Sequence, residues 1–276
     1  MQYPTGETIN GLWIGAKLGP LEQLTILSFI RQGHPFRLWV YDIPTGLPNS
    51  PMLELASGEK ILPRDRIFRY LKSSFLGHGK NSVAGFSDVF RYQLLWEFGG
   101  WWSDLDVTCL TPLNFNDPYV FRSHHILKMV GNIMYCPPKS ILMARCLEDA
   151  NRMVHANNRD WMLPIRILNK HIKELDLSPF IQDFTNQDSW CYIRNLLGSR
   201  QPTIAPHWKA IHWNHTDWNR MKLKTDEAVP GSMYADLLSS HHISFRALKS
   251  EEKKRIERCL TISWFVWRTV QNRWRG

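Results

Sequence analysis

The chain opens with an apolar run, an amphipathic stretch and a second apolar run. Residues 9–15, Ile-Asn-Gly-Leu-Trp-Ile-Gly, are a short apolar segment closed by glycine and predict a buried strand. Gly19-Pro20 opens a helix with proline at its first position. Leu21, Leu24, Leu27 and Ile30 (or Phe29) form its apolar stripe, and Gly33 closes it. Residues 36–41, Phe-Arg-Leu-Trp-Val-Tyr, predict a second strand that runs through Tyr41-Asp42 into a loop rich in Pro and Gly. Strand, helix and strand in this order predict a parallel sheet.

The next strongly patterned stretch runs from Ser87 to Asp106. Ser87 suits an N-cap, and Asp88 in the first turn suits the helix dipole. Phe90, Leu94 and Phe98 share one face with Leu95 beside them, while Asp88, Arg91 and Tyr92 point elsewhere. Gly99 and Gly100 stop the helix, and Trp101–Ser103 begin a strand that carries Asp104 and Asp106. Alternation on that strand sends Leu105 into the core and both acids toward one small volume. Residues 119–122 and 132–136 predict further strands, and a helix spans about 140–157 after Pro137-Pro138. From 158 to 230 the pattern is less regular, with a Trp/His-rich segment at 207–218.

From Ser250 onward the chain reads as one basic amphipathic helix. Ile256, Leu260, Trp264, Trp267, Val270 and Trp274 recur at helical spacing among lysines and arginines. The expected organisation is a single α/β domain over 1–249 and this helix over 250–276. The helix either docks on the domain or lies in an anionic membrane surface, with Trp at the headgroup level.

Composition narrows the picture. The 276 residues, 43% hydrophobic with 13 Trp, can bury a core without staples. Five scattered cysteines, an odd number with no CxxC pair, predict free thiols in a reducing compartment. The first residues lack the basic and apolar regions of a signal peptide, and no run approaches the ~20 apolar residues of a spanning helix. A cytoplasmic location, peripheral on the inner face of a membrane, is the expectation. A net charge of +9 admits nucleic acid, anionic lipid or phosphorylated substrates as partners. The basic residues concentrate in the C-terminal helix and form no stripe with stacking aromatics, which argues against nucleic acid.

Paired hard oxygens at Asp104 and Asp106 suit Mg²⁺ or Mn²⁺, and such an ion suits a diphosphate. The string Ser-Asp-hydrophobic-Phe-Arg-Tyr, then Gly-Gly-aromatic-aromatic-x-Asp-x-Asp and Leu110-Thr111-Pro112-Leu113, resembles glycosyltransferases with a DXD sugar-binding motif. The resemblance is to the family 32 type, which is related to yeast initiating mannosyltransferases, bacterial capsule and lipopolysaccharide sugar transferases, and clostridial glucosylating toxins. It covers about residues 87–113, with an echo at Leu12-Trp13-Ile14-Gly15.

The resemblance implies a GT-A fold, a Rossmann-like nucleotide-binding sheet with the metal site at its edge. It implies a retaining hexosyltransferase using a nucleotide sugar, UDP before GDP, and a glycan or lipid-linked acceptor. By motif position Trp13 lies near the base or ribose, Asp88 and Arg91 contact donor sugar and diphosphate, and Trp102 lies near the donor. Asp104 then binds ribose or donor sugar, directly or through the metal, and Asp106 is the firmest metal ligand. Arg91 also suits bidentate contact with phosphate oxygens; as a bare i,i+3 partner of Asp88 it is worth only about 0.2–0.5 kcal/mol.

Late in the chain, His241-His242-Ile243-Ser244-Phe245 loosely matches a family element that lies over the metal. This makes His242 the expected third ligand, with His241 and Ser244 as substitutes; an exposed loop pair is the alternative. Asn186-Gln187-Asp188 resembles an Asp-Gln-Asp element facing the donor sugar in related retaining enzymes, which implies active-site roles for Gln187 and Asp188; a polar turn or helix cap is the alternative. Asn132 resembles a family asparagine near the acceptor. His207, His212 and His215 are spaced for zinc but lack a cysteine, and packing or acceptor-lining roles are preferred. A metal-dependent phosphohydrolase using the same acids, a nucleic-acid-binding module and a host-directed toxin are the rival readings.

Overall fold

In the computed structural model, which describes residues 6–72, 80–198, 203–215, 218, 223–249, 251, 252 and 254, the opening unit is as the pattern predicts. It comprises β1 (Ile9–Trp13), α1 (Pro20–Arg31) and β2 (Phe36–Val40), with β2 parallel to β1. A further strand, β3 (Leu53–Ser57), adds in parallel to β2. The chain then returns through α2 (Ala84–Phe98) to β4 (Gly100–Ser103), which pairs in parallel with the other side of β1. The direction of crossover therefore reverses at β1. In open α/β sheets, ligands bind beyond the carboxyl ends of the strands at such a point.

After β4 the next two pairings of the sheet are antiparallel and the last is parallel. A short strand, β5 (Val107–Cys109), leaves the main sheet. The hairpin of β6 (Val120–His124) and β7 (Lys128–Cys136) follows, with β7 against β4. Next come α3 (Ile141–Met153), α4 (Leu163–Glu174) and β8 (Ile181–Gln182), which completes the order β3-β2-β1-β4-β7-β6-β8. The remaining elements are α5 (Trp190–Leu197), β9 (Ala210–His212), β10 (Glu227–Ala228), α6 (Met233–Ser240) and β11 (Arg246–Ala247). β9 pairs antiparallel with β5, and β10 pairs with β11.

Helices cover both faces of the sheet. The consecutive residues Trp101 and Trp102 point to opposite faces, as strand geometry requires. Trp102 joins the core under α2, α3 and α4 with Phe90 and Met134. Trp101 joins the core under α1 with Phe29 and Ile133. A third cluster packs Trp213, Trp218 and Tyr234 edge to face, with ring centroids 4.9–6.1 Å apart. Cys109, Cys136 and Cys146 are unpaired and buried, in line with the free thiols expected.

Two local expectations are corrected. α2 begins at Ala84, so Ser87 is not the cap; its amide already donates to the Val83 carbonyl at 2.9 Å. The face of α2 carrying Arg91 and Tyr92 is buried too, at 5% and 1% exposure, because α3 and α4 cover it. The double glycine does end the helix. Gly99 has φ +65° and ψ −159°, a region only glycine adopts easily, and a Cβ there would stand 2.4 Å from the Pro138 nitrogen. The predicted C-terminal helix at 250–276 falls outside the described residues, apart from 251, 252 and 254. Among the described residues no helix is long and apolar enough to cross a membrane.

Candidate active site

Asp104 and Asp106 lie in the turn between β4 and β5, not on one strand. They still share one volume, for a different reason from the one expected. The Asp104 amide donates to the Asn132 carbonyl at 2.7 Å, continuing the β4–β7 ladder. The Asp106 carbonyl accepts from the Trp213 amide at 2.9 Å, continuing the β5–β9 ladder. Each acid is thus pinned to a different sheet, and Leu105 between them is buried as expected.

Arg91 joins α2 to this turn. Its guanidinium lies 2.8 Å from Asp104 and 3.2 Å from Asp88, and stacks over the Trp102 ring at 5.0 Å. The Trp102 indole N–H donates to the same Asp104 Oδ1 at 2.7 Å. The Asp88–Arg91 pair is therefore buried rather than a solvated surface pair. Gly131 on β7 makes room for it: a Cβ there would lie 2.5 Å from Arg91 Nη1.

Asp106 faces a different cation. His212 Nε2 stands 3.4 Å from its Oδ2, which also accepts from the His215 amide at 3.1 Å. On its other edge His212 Nδ1 lies 2.6 Å from Asp188 Oδ1. Asp188 is gripped by Arg122, with contacts of 2.5 and 2.9 Å to its two oxygens. The site is thus a row of charges running from Asp88 through Arg91, Asp104, Asp106, His212 and Asp188 to Arg122, with opposite signs facing each other except at the centre, where the two acids Asp104 and Asp106 adjoin.

These neighbours, together with burial, set the protonation states. Burial opposes charge on His212, but Asp188 and Asp106 on either side hold it up at about 10. Burial likewise opposes charge on Asp106, yet His212 and the His215 amide hold it down at about 2. Asp188 is kept well below the usual carboxylate range against its burial by His212 and Arg122. Asp104 is raised by burial, with Asp106 adding to the rise and Arg91 offsetting it. Asp88 is pushed by burial from 3.8 to about 7, against the pull of Arg91. A carboxyl raised in this way gains a proton on folding. Between pH 3.8 and about 7 its contribution to stability therefore falls as pH rises. Asp88→Asn is expected to flatten that fall; urea midpoints measured at several pH values across that window test it, and an unchanged pH dependence rejects it.

Four buried side-chain polar atoms lack a partner among the described residues: Trp13 Nε1, Tyr70 Oη, Arg91 Nε and Asn132 Nδ2. Three belong to residues nominated from the sequence. Trp13 closes β1, whose register with β4 carries it to the edge beside the 104–106 turn. Buried donors without acceptors are rare and mark places where a ligand's oxygens fit. A cation fits the acid pair as well, since Asp104 Oδ2 and Asp106 Oδ1 accept no hydrogen bond from the described residues. No group of three or more His, Cys, Asp or Glu side chains among the described residues could hold a metal, so remaining ligands would come from diphosphate and water.

Other nominated residues are placed elsewhere. His241 Nδ1 is bound to the Leu237 carbonyl of α6 at 2.8 Å, and His242 and Ser244 are exposed. They lie by the far end of α1, where Arg31 binds the Ser240 carbonyl at 2.9 Å, whereas Asp106 lies near Glu22 in the first turn of α1. The structure does not bring this element to the acids, and His212 and His215 stand there instead. The Gln187 amide is committed to the His125 N–H at 3.0 Å and faces Asp183. His207 lies exposed beside Asp183, so the three histidines of 207–215 form no common centre. Sequence reasoning missed Arg122, whose only signal is an arginine inside an apolar strand, and gave His212 a packing or acceptor-lining role.

No curated protein sequence matches the chain. Among solved structures it is similar to one titled "PaToxG Glycosyltransferase", at 12% identity and a TM-score of 0.44 over 94% of this chain and 86% of that one. Residues 59–122, under a quarter of the chain, match a family model. The segment that holds α2, β4 and both acids is thus similar to the glycosyltransferase sugar-binding region containing the DXD motif.

Proposed function

We propose that the chain is a metal-dependent glycosyltransferase that moves a hexose from a nucleotide sugar to a glycan or lipid-linked acceptor. The observation that carries this is the set of orphaned buried donors around an acid pair with two open oxygens. Trp13 Nε1 at the end of β1 suits the base or ribose, and Arg91 Nε suits the diphosphate. Asn132 Nδ2, on the β7 side, suits an acceptor or sugar hydroxyl. Mg²⁺ or Mn²⁺ held by Asp104 and Asp106 would neutralise charge on the departing diphosphate.

Both oxygens of Asp188 are engaged by Arg122 and His212, so it is not a free nucleophile. That agrees with a retaining front-face reaction, in which the leaving phosphate assists the incoming hydroxyl. A UDP-sugar donor, and attachment to an anionic membrane through residues 250–276, complete the reading.

A thermal-shift panel of UDP- and GDP-sugars with and without Mn²⁺ tests it. One sugar nucleotide is expected to stabilise the protein only with the metal, by about 2.7 kcal/mol at a hundredfold excess over Kd. No stabilisation by any of them, with no nucleotide diphosphate released, overturns the proposal. Release that no acceptor stimulates would make the protein a phosphohydrolase instead.

A further inference from the structure

His212 is held at three points. The Asn186 side chain, fully buried, binds both backbone groups of His212: its Oδ1 accepts from the amide at 2.8 Å and its Nδ2 donates to the carbonyl at 2.9 Å. Asp188 binds the ring at Nδ1. Arg122, also fully buried, then holds both of these residues. Its Nη2 donates to the Asn186 carbonyl at 2.6 Å and to Asp188 Oδ1 at 2.5 Å, and its Nη1 donates to Asp188 Oδ2 at 2.9 Å. Nε donates to Thr185 Oγ1 at 2.5 Å, and Nη1 reaches Asn132 Oδ1 at 3.4 Å. Every N–H of the guanidinium is directed at an acceptor.

Packing alone does not call for this. An apolar side chain of similar volume serves a core equally well or better than a buried ion pair. What the arrangement supplies is a direction. With its backbone and Nδ1 fixed, His212 has one orientation, and Nε2 points at Asp106. The chemistry at position 186 is also restrictive. Asparagine both donates and accepts there; aspartate would set a carboxylate against the His212 carbonyl.

We propose that Arg122 and Asn186 are positioning residues that act through Asp188 and His212 to hold the Nε2 edge of His212 against Asp106. The inference rests on the glycosyl-transfer reading for its consequence but not for its geometry. Removing such outer partners typically lowers activity about 10–100-fold, through kcat when the substrate contacts themselves are intact.

The test uses the full chain labelled with ¹⁵N-histidine, in wild type, Asn186→Asp, Arg122→Lys and Thr185→Val. Wild type is expected to show a downfield Nδ1–H proton, assigned to His212 by its loss in His212→Gln. Asn186→Asp and Arg122→Lys should shift or remove it and lower kcat about 10–100-fold with KM for the sugar nucleotide unchanged. Thr185→Val, which deletes one bond, should move both readouts the same way by less, and decides the matter if the other two fail to fold. Folded variants that keep the resonance and the wild-type kcat overturn the proposal. If the resonance behaves as expected but wild type turns over no sugar nucleotide, the positioning stands and the glycosyl-transfer reading falls.

Discussion

Asp106→Ala is expected to lower Mn²⁺-dependent release of nucleotide diphosphate from a sugar nucleotide by about 10²–10³-fold, the scale of losing one preorganised electrostatic contact. Of the two acids, Asp106 is the one held firmly anionic, at about 2, because His212 and the His215 amide outweigh its burial. Its Oδ1 accepts no hydrogen bond from the described residues, so it can take a cation without giving up a structural bond. Asp106→Asn separates charge from shape: it keeps an oxygen for the His215 amide but cannot neutralise a divalent ion. Both substitutions should therefore impair metal-dependent turnover, while only alanine loosens the 104–106 turn. Full activity in either, measured at saturating Mn²⁺, would remove the acid from the reaction.

Arg91→Met should destabilise the fold by about 3–5 kcal/mol, the range for stripping one partner from a buried ionic pair. Arg91 is 5% exposed, and its loss leaves Asp88 and Asp104 facing each other without a cation. Asp88 relieves part of this by taking a proton near neutral pH, so the loss should grow as pH rises through about 7. Arg91→Lys is not conservative here. One ammonium cannot bridge two carboxylates and stack on Trp102 at once. Urea unfolding of Arg91→Met gives the value directly. A loss of about 1 kcal/mol or less, the worth of an exposed pair, would contradict the buried role.

The elements legible in the sequence are those whose signals are local. β1, α1 and β2 follow from apolar runs, a proline at the helix start and a closing glycine, all within forty residues. The helix, double glycine and acid pair follow likewise, because Gly99 takes a backbone conformation that other residues resist. β3 was not legible, since it lies at a sheet edge with Glu54 and Leu55 exposed and shows no clean alternation. α4 fell in the segment read as irregular, although its polar face masks a buried stripe of Ile167, Leu168 and Ile172.

At the site, the residue types along 88–106 already named a cation, a pair of acids and an aromatic, because all of them stand in one short stretch of chain; that the acids share a volume followed instead from the turn that pins each to a different sheet. Their partners could not be read in the same way. Asp106 meets His212 across 106 positions, and Asp188 meets Arg122 across 66. Those contacts depend on β5 leaving the main sheet to pair with β9, and on β6 running beside β8. A histidine near the C-terminus could be matched to a motif but not to a place, and folding set His241 and His242 at the far end of α1. Short-range pattern thus specified which chemistry the chain carries, while long-range strand pairing, which no local propensity encodes, selected which charges face one another.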